Sequence, residues 1–171
     1  MSHETILLGE YGSRAMGTNN VDSDSDFMGI AIESQDFVIG LNQWEQDQIK
    51  TALPGKRSGL GDVDQTIYSL RKWARLAQKG NPTVLTALFL PEYEVLGELG
   101  RVLIDNRKLF LSKEAGHRHL GYMRSQRDAM TGLRNKRTNR PELVHKYGYD
   151  TTFAGHMIRL GIQGTELTDT G

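Results

Sequence analysis

The chain has no cysteine among its 171 residues. That excludes disulfides, thiolate zinc sites and a cysteine nucleophile, so any metal must take oxygen or histidine ligands. It also has no apolar run approaching the roughly 20 residues of a helical membrane span. The N-terminal Met-Ser-His-Glu-Thr lacks the basic flank and apolar stretch of a secretory leader, so a cytoplasmic protein with no membrane partner is expected. No internal repeat or low-complexity tract interrupts the sequence. The length suits one domain, or one compact domain with a helical extension, and is enough to bury a core.

Net charge is absent too, with 21 Lys and Arg against 21 Asp and Glu, but the zero conceals a division. Residues 1–66 carry eleven acidic against four basic side chains, and residues 67–171 carry ten against seventeen. An acidic part that can bind metal beside a basic part that can meet phosphates suits an enzyme acting on a polyanion. The densest basic stretch contains Arg118, Arg124, Arg127, Arg134, Lys136, Arg137, Arg140 and Lys146, opposed only by Asp128 and Glu142. It reads either as a solvated helix surface or as a contact surface for nucleic acid or a triphosphate.

What is present and unusual lies in residues 12–26, Gly-Ser-Arg-Ala-Met-Gly-Thr-Asn-Asn-Val-Asp-Ser-Asp-Ser-Asp, directly after the apolar stretch Thr5–Leu8. A strand followed by a glycine-serine turn offers backbone N–H groups to phosphate oxygens. Asp24 and Asp26, two apart on an extended segment, project from one face, where paired carboxylates beside phosphates attract Mg²⁺ or Mn²⁺. A P-loop would need Lys after its second glycine, and this chain has Thr18. A calcium loop starting at Asp22 would need Gly where Phe27 stands and an apolar residue where Gly29 stands. In the remaining reading Gly12 allows the tight turn and close approach of a triphosphate, the Ser13 hydroxyl binds its oxygens, and Asp24 and Asp26 hold the metal. A third carboxylate completes a two-metal site. Asp64 is the first candidate and Asp62 the second, because Asp-Val-Asp-Gln-Thr-Ile-Tyr is the other acidic, strand-like segment.

Periodicity predicts strands at Thr5–Glu10, Asp24–Ile32 and Asp62–Tyr68, with Ser13–Gly17 as a helical turn and Asn19–Ser23 as a loop. Gln46–Gly61, with Pro54, Gly55, Gly59 and Gly61, reads as a flexible excursion. A helix is expected from Ser69 to the stop at Gly80, with Leu70, Trp73, Ala74 and Ala77 as its apolar stripe, and another over Thr83–Leu90. Further helices are expected at Glu94–Phe110, at Ser112–Met130 with Ser112 as N-cap, and at Thr151–Leu167. The fold class is α+β: a small mixed sheet built from the first part, with helices beside it. Trp73 is expected in the core, Trp44 as a loop anchor or base-stacking platform, and Asn81 as a turn residue.

Gly12-Ser13, a spacer, then Ser23-Asp24-Ser25-Asp26 and an apolar strand resembles the signature of the DNA polymerase β-like nucleotidyltransferase superfamily. The closer likeness is to its bacterial and phage branch of small nucleotidyltransferases that includes the RNA-ligase-associated group. Three further stretches look like that branch: Leu70-Arg-Lys-Trp to Lys79-Gly-Asn-Pro-Thr-Val-Leu, then Gly121-Tyr-Met-Arg-Ser-Gln126, then Tyr149-Asp-Thr-Thr-Phe-Ala-Gly-His156-Met-Ile-Arg159-Leu.

The resemblance implies metal-dependent transfer of a nucleoside monophosphate from a nucleoside triphosphate to an acceptor hydroxyl, with release of pyrophosphate. It implies that Ser13 holds β- and γ-phosphate oxygens and that Asp24 and Asp26 bind both metals, with Asp64 binding the catalytic one and assisting deprotonation. Arg14, Lys79, Arg124 and Arg159 become candidates for the nucleotide's phosphates, and His156 for a phosphate or active-site contact rather than packing alone. Residues 1–92 are then the catalytic core and residues 93–171 a helical region packed on it. The basic stretch favours RNA, such as a tRNA-like 3′ end, as acceptor. Two positions depart from the family: Thr152 replaces a usual Lys, and Thr86 a usual acidic residue. They support an alternative, a catalytically silent nucleotide- or nucleic-acid-binding module acting through a partner. Relatives of this kind continue past the position of Gly171, so a further C-terminal segment is expected.

Overall fold

A computed structural model describes residues 3–56, 58–133 and 140–169. Strand β1, His3–Tyr11, leads through the short helix α1, Gly12–Ala15, and a loop into β2, Ser25–Glu33. After α2, Gln35–Ile39, come β3, Gln46–Lys50, and β4, Val63–Ser69, which continues into helix α3, Leu70–Gln78. Then follow α4, Pro82–Leu85, a 3-10 turn over Thr86–Leu88, β5, Val95–Leu96, and α5, Glu98–Asp105. A second 3-10 turn, Arg107–Phe110, precedes three helices: α6, Lys113–Met130; α7, Pro141–Tyr147; and α8, Thr151–Asp169.

The five strands form one mixed sheet in the order β3-β4-β2-β1-β5. β1 pairs antiparallel with β2 and β5, β2 pairs parallel with β4, and β4 pairs antiparallel with β3. This is the α+β class with a small mixed sheet of the nucleotidyltransferase type. The core is apolar where the central strands run continuously apolar and bury both faces: Leu7 from β1 and the adjacent Ile30 and Ala31 from β2 are fully buried, as are Trp73 and Ala77 from one face of α3. The indole N–H of Trp73 donates to the Val84 carbonyl at 2.9 Å, which satisfies the one polar atom that this large side chain takes into the interior.

The chain divides into two compact units, one of residues 1–78 and 83–107 and the other of residues 79–82 and 108–171. The first holds the sheet. In the second, α6 packs along α8, and Gly164 allows the approach, since a Cβ there would lie 2.9 Å from the Cβ of buried His119. Ser112 caps α6 by accepting from Ala115 N–H at 3.2 Å. Asp150, buried before α8, accepts from Thr152 N–H at 3.0 Å.

Three expectations need correction. Gln46–Lys50 is an edge strand rather than part of a flexible excursion, because β4 supplies a complete antiparallel ladder that its polar sequence does not announce. Glu94–Phe110 is interrupted: Val95 and Leu96 pair with β1, and Gly97 donates to the Ile6 carbonyl at 3.0 Å before α5 can start. Thr83–Leu90 is one helical turn followed by a 3-10 turn. The helices Gln35–Ile39 and Pro141–Tyr147 were not expected, being too short for a periodic signal.

Candidate active site

The end of the sheet where β1 leaves and β2 and β4 begin gathers three carboxylates. Asp26 and Asp64 are direct neighbours across the parallel β2–β4 pair, and Tyr11 faces Asp26 across β1–β2. Ser25 N–H donates to the Asp62 carbonyl at 3.0 Å and closes the ladder at that end. Asp24 stands two residues before Asp26, on the loop just outside the strand. One oxygen from each of Asp24, Asp26 and Asp64 lies within 4.8 Å of the other two. Like charges this close repel, and burial adds to the penalty. In the metal-free protein the Asp26 carboxyl is pushed up to about 6, first by desolvation, then by Asp24 and Asp64, with a smaller push from Glu10 and an opposing pull from Lys50.

Gly12 makes this convergence possible. Its φ of +78° is left-handed, and a Cβ would overlap the Oδ2 atom of Asp26. The turn that follows is closed by the Ser13 carbonyl, which accepts from Thr18 N–H at 2.9 Å. Arg14 is committed to the carboxylate loop. Its Nη2 donates to the Ser23 carbonyl at 2.8 Å and its Nε to the Asp24 carbonyl at 3.0 Å, while Glu10 lies 3.7 Å from Nε. Farther along the loop, the Asn20 side chain accepts from Asp22 N–H and from the Ser23 hydroxyl.

Asp62 stands outside the carboxylate group despite sharing a strand face with Asp64. Its Oδ1 accepts from the Thr51 hydroxyl at 3.0 Å and its Oδ2 from Gly59 N–H at 3.0 Å, so it fixes the β3–β4 connection. On Asp64, Oδ2 accepts from Lys50 Nζ at 3.1 Å and from the Ser58 hydroxyl at 3.3 Å. The other oxygen, Oδ1, is buried with no hydrogen-bond partner among the described residues. A buried acceptor left open beside two more carboxylates fits a divalent cation, which takes oxygen ligands from such a set. Lys50 is the residue that sequence reading missed, since it sits in the stretch read as a mobile excursion.

The remaining candidates, Lys79, Arg124, His156 and Arg159, belong to the second unit, whereas Gly12, Ser13, Arg14 and the three carboxylates belong to the first. Lys79 and Arg124 are exposed. The His156 imidazole is held below its ordinary value by desolvation, then by Arg159 and Arg140, against an opposing pull from Asp150. In the basic stretch, Arg118 pairs with Glu114 at 3.0 Å and Arg127 with Asp128 at 2.9 Å, both on exposed helix surface. Arg134, Lys136 and Arg137 lie outside the described residues. Trp44 is a loop anchor: its ring stacks on His3 with centroids 4.4 Å apart, and its N–H donates to Asp47 at 2.7 Å. Among the described residues no helix is long and apolar enough to cross a membrane.

Comparison with known proteins follows the same direction. Over 128 residues the chain is 30% identical to an uncharacterized 38.9 kDa protein from the nrdC-mobD intergenic region of Enterobacteria phage T4. That match covers 72% of this chain and 38% of the phage protein, so the chain corresponds to well under half of that relative's length. A family model described as RlaP, the RNA repair pathway DNA polymerase beta family, matches residues 1–171. With its mixed sheet and its carboxylates at the mouth of β2 and β4, the chain belongs to this RNA repair pathway DNA polymerase beta family.

Proposed function

We propose that the protein is a metal-dependent nucleotidyltransferase that moves a nucleoside monophosphate from a nucleoside triphosphate to a hydroxyl of RNA, such as a tRNA-like 3′ end. The observation that carries this is the convergence of Asp24, Asp26 and Asp64 beside the Gly12-Ser13 turn. The three carboxylates would hold Mg²⁺ or Mn²⁺, which supplies Lewis-acid neutralisation of charge on the transferring phosphoryl group. Ser13 would bind β- and γ-phosphate oxygens, and Arg14 keeps Asp24 in place through the loop carbonyls. The acceptor oxygen forms a bond to the α-phosphorus, the bond from that phosphorus to the bridging oxygen breaks, and pyrophosphate carries away the electron pair. Asp64 takes the acceptor proton.

Lys79, Arg124, His156 and Arg159 are proposed as nucleotide contacts, and the family's place in RNA repair supports RNA as acceptor. We also propose residues 1–92 as the catalytic core, with residues 93–171 serving it. The test is incubation with each α-labelled NTP, Mg²⁺ or Mn²⁺, and total RNA, beside an Asp24→Ala/Asp26→Ala variant. Label on RNA with the intact protein alone is the expected result. Tight metal-dependent NTP binding without transfer would instead identify a silent nucleotide-binding module, the reading that Thr86 and Thr152 favour.

A further inference from the structure

Edge strand β3 brings a cation to the carboxylate cluster. Lys50 and Asp64 are direct cross-strand partners, and Lys50 Nζ donates to Asp64 Oδ2 at 3.1 Å. The influence of this ammonium extends to Asp26, on the next strand across. The Lys50 side chain is 55% exposed, at the rim of the sheet, whereas that of Asp64 is 21% exposed. The ammonium can therefore leave for solvent or for a ligand by rotating its flexible four-carbon stem, with no change in the backbone.

We propose that Lys50 is a resident counter-cation that couples metal binding to triphosphate binding. This rests on the reading of the site as a metal and nucleotide centre. Without nucleotide, Lys50 offsets part of the charge on three carboxylates and opposes a divalent ion. When a triphosphate arrives, its oxygens draw the ammonium from Asp64 Oδ2, and the carboxylates regain their full attraction for the metal. A unit positive charge within several ångströms of a divalent ion, in surroundings close to water, lowers that ion's affinity by about tenfold. By linkage, nucleotide and metal then raise one another's affinity by the same factor.

The experiment is Mn²⁺ titration, followed by calorimetry or electron paramagnetic resonance, with and without an NTP analogue whose α,β-bridge is methylene. Wild type is compared with Lys50→Met, the charge-preserving Lys50→Arg, and Lys72→Met. Lys72 pairs with Glu45 at 3.2 Å, just before the opposite end of β3, and controls for general loss of charge. Lys50→Met should bind Mn²⁺ alone about tenfold more tightly than wild type and lose most of the enhancement by the analogue. Lys50→Arg and Lys72→Met should keep the wild-type pattern. Unchanged or weaker Mn²⁺ binding by Lys50→Met, or equal tightening by Lys72→Met, overturns the coupling and leaves the metal-site reading standing. Failure of the wild type to bind Mn²⁺ even with the analogue overturns both.

Discussion

Gly12 and Asp26 meet so closely that the α-carbon of one and the carboxylate of the other leave no room for a methyl group between them. The glycine is also left-handed, so Gly12→Ala combines backbone strain with a displaced carboxylate. The strain alone costs about 1–2 kcal/mol, and moving Asp26 should reduce metal affinity by at least tenfold. Thermal melts with and without Mn²⁺ check both effects. A variant that melts like wild type and keeps its Mn²⁺ stabilisation would show that the turn can relax away from Asp26.

Arg14 offers a second handle on the same carboxylates. Its two hydrogen bonds to the Ser23 and Asp24 carbonyls are charge-assisted and partly buried, so Arg14→Ala should destabilise by about 1–2 kcal/mol. The loop should also loosen, with faster amide exchange at residues 20–26. Arg14→Lys supplies a charge without the fork that reaches both carbonyls, so it should recover only part of the loss. Unchanged exchange in Arg14→Ala would refute the clamp.

The contrast between what sequence conveys and what it hides is sharpest at β3 and β4. The β1-turn-β2 unit is legible because apolar runs, a glycine turn and spaced aspartates lie within one continuous stretch. Asp62 and Asp64 could not be separated by strand parity, which places them on one face. The difference lies in register, Asp64 beside Asp26, and in capture of Asp62 by Thr51 and Gly59, neither of which leaves a local signal. Lys50 was hidden for the same reason: Gln-Asp-Gln-Ile-Lys is polar on both faces and becomes a strand only because β4 offers it a ladder. The two residues of β5 are too few for any period. Trp73 and Ser112, by contrast, were legible, since a helical stripe and an N-cap are properties of neighbouring residues.

Trp73 tests the packing that supports the sheet. It is fully buried, and its N–H satisfies the Val84 carbonyl. Trp73→Phe keeps most of the ring but removes that donor, and should cost about 1–3 kcal/mol. Trp73→Ala should cost about 3–5 kcal/mol. Denaturant unfolding measures both, and a Trp73→Phe variant as stable as wild type would mean that the carbonyl finds another donor.

Asp26 gives the clearest dependence on pH. Its carboxyl sits at about 6 in the metal-free fold against an ordinary 3.8, so between those values the folded protein holds a proton that the unfolded chain has released. Stability therefore falls as pH rises through that window, and the penalty is complete above it. Asp26→Asn removes the penalty. Without metal, at pH 7.5, the variant should exceed wild type by about 1–2 kcal/mol after allowance for solvent screening. The difference should vanish near pH 4, where both side chains are neutral in the fold. A divalent ion must displace the same proton, so wild-type Mn²⁺ affinity should fall by up to about tenfold per pH unit below 6. Melts in chelator across pH 4–8 and Mn²⁺ titrations across pH 5–7.5 separate the two effects. Wild type and Asp26→Asn melting alike at pH 7.5 would show that Asp26 carries no electrostatic strain for a metal to relieve.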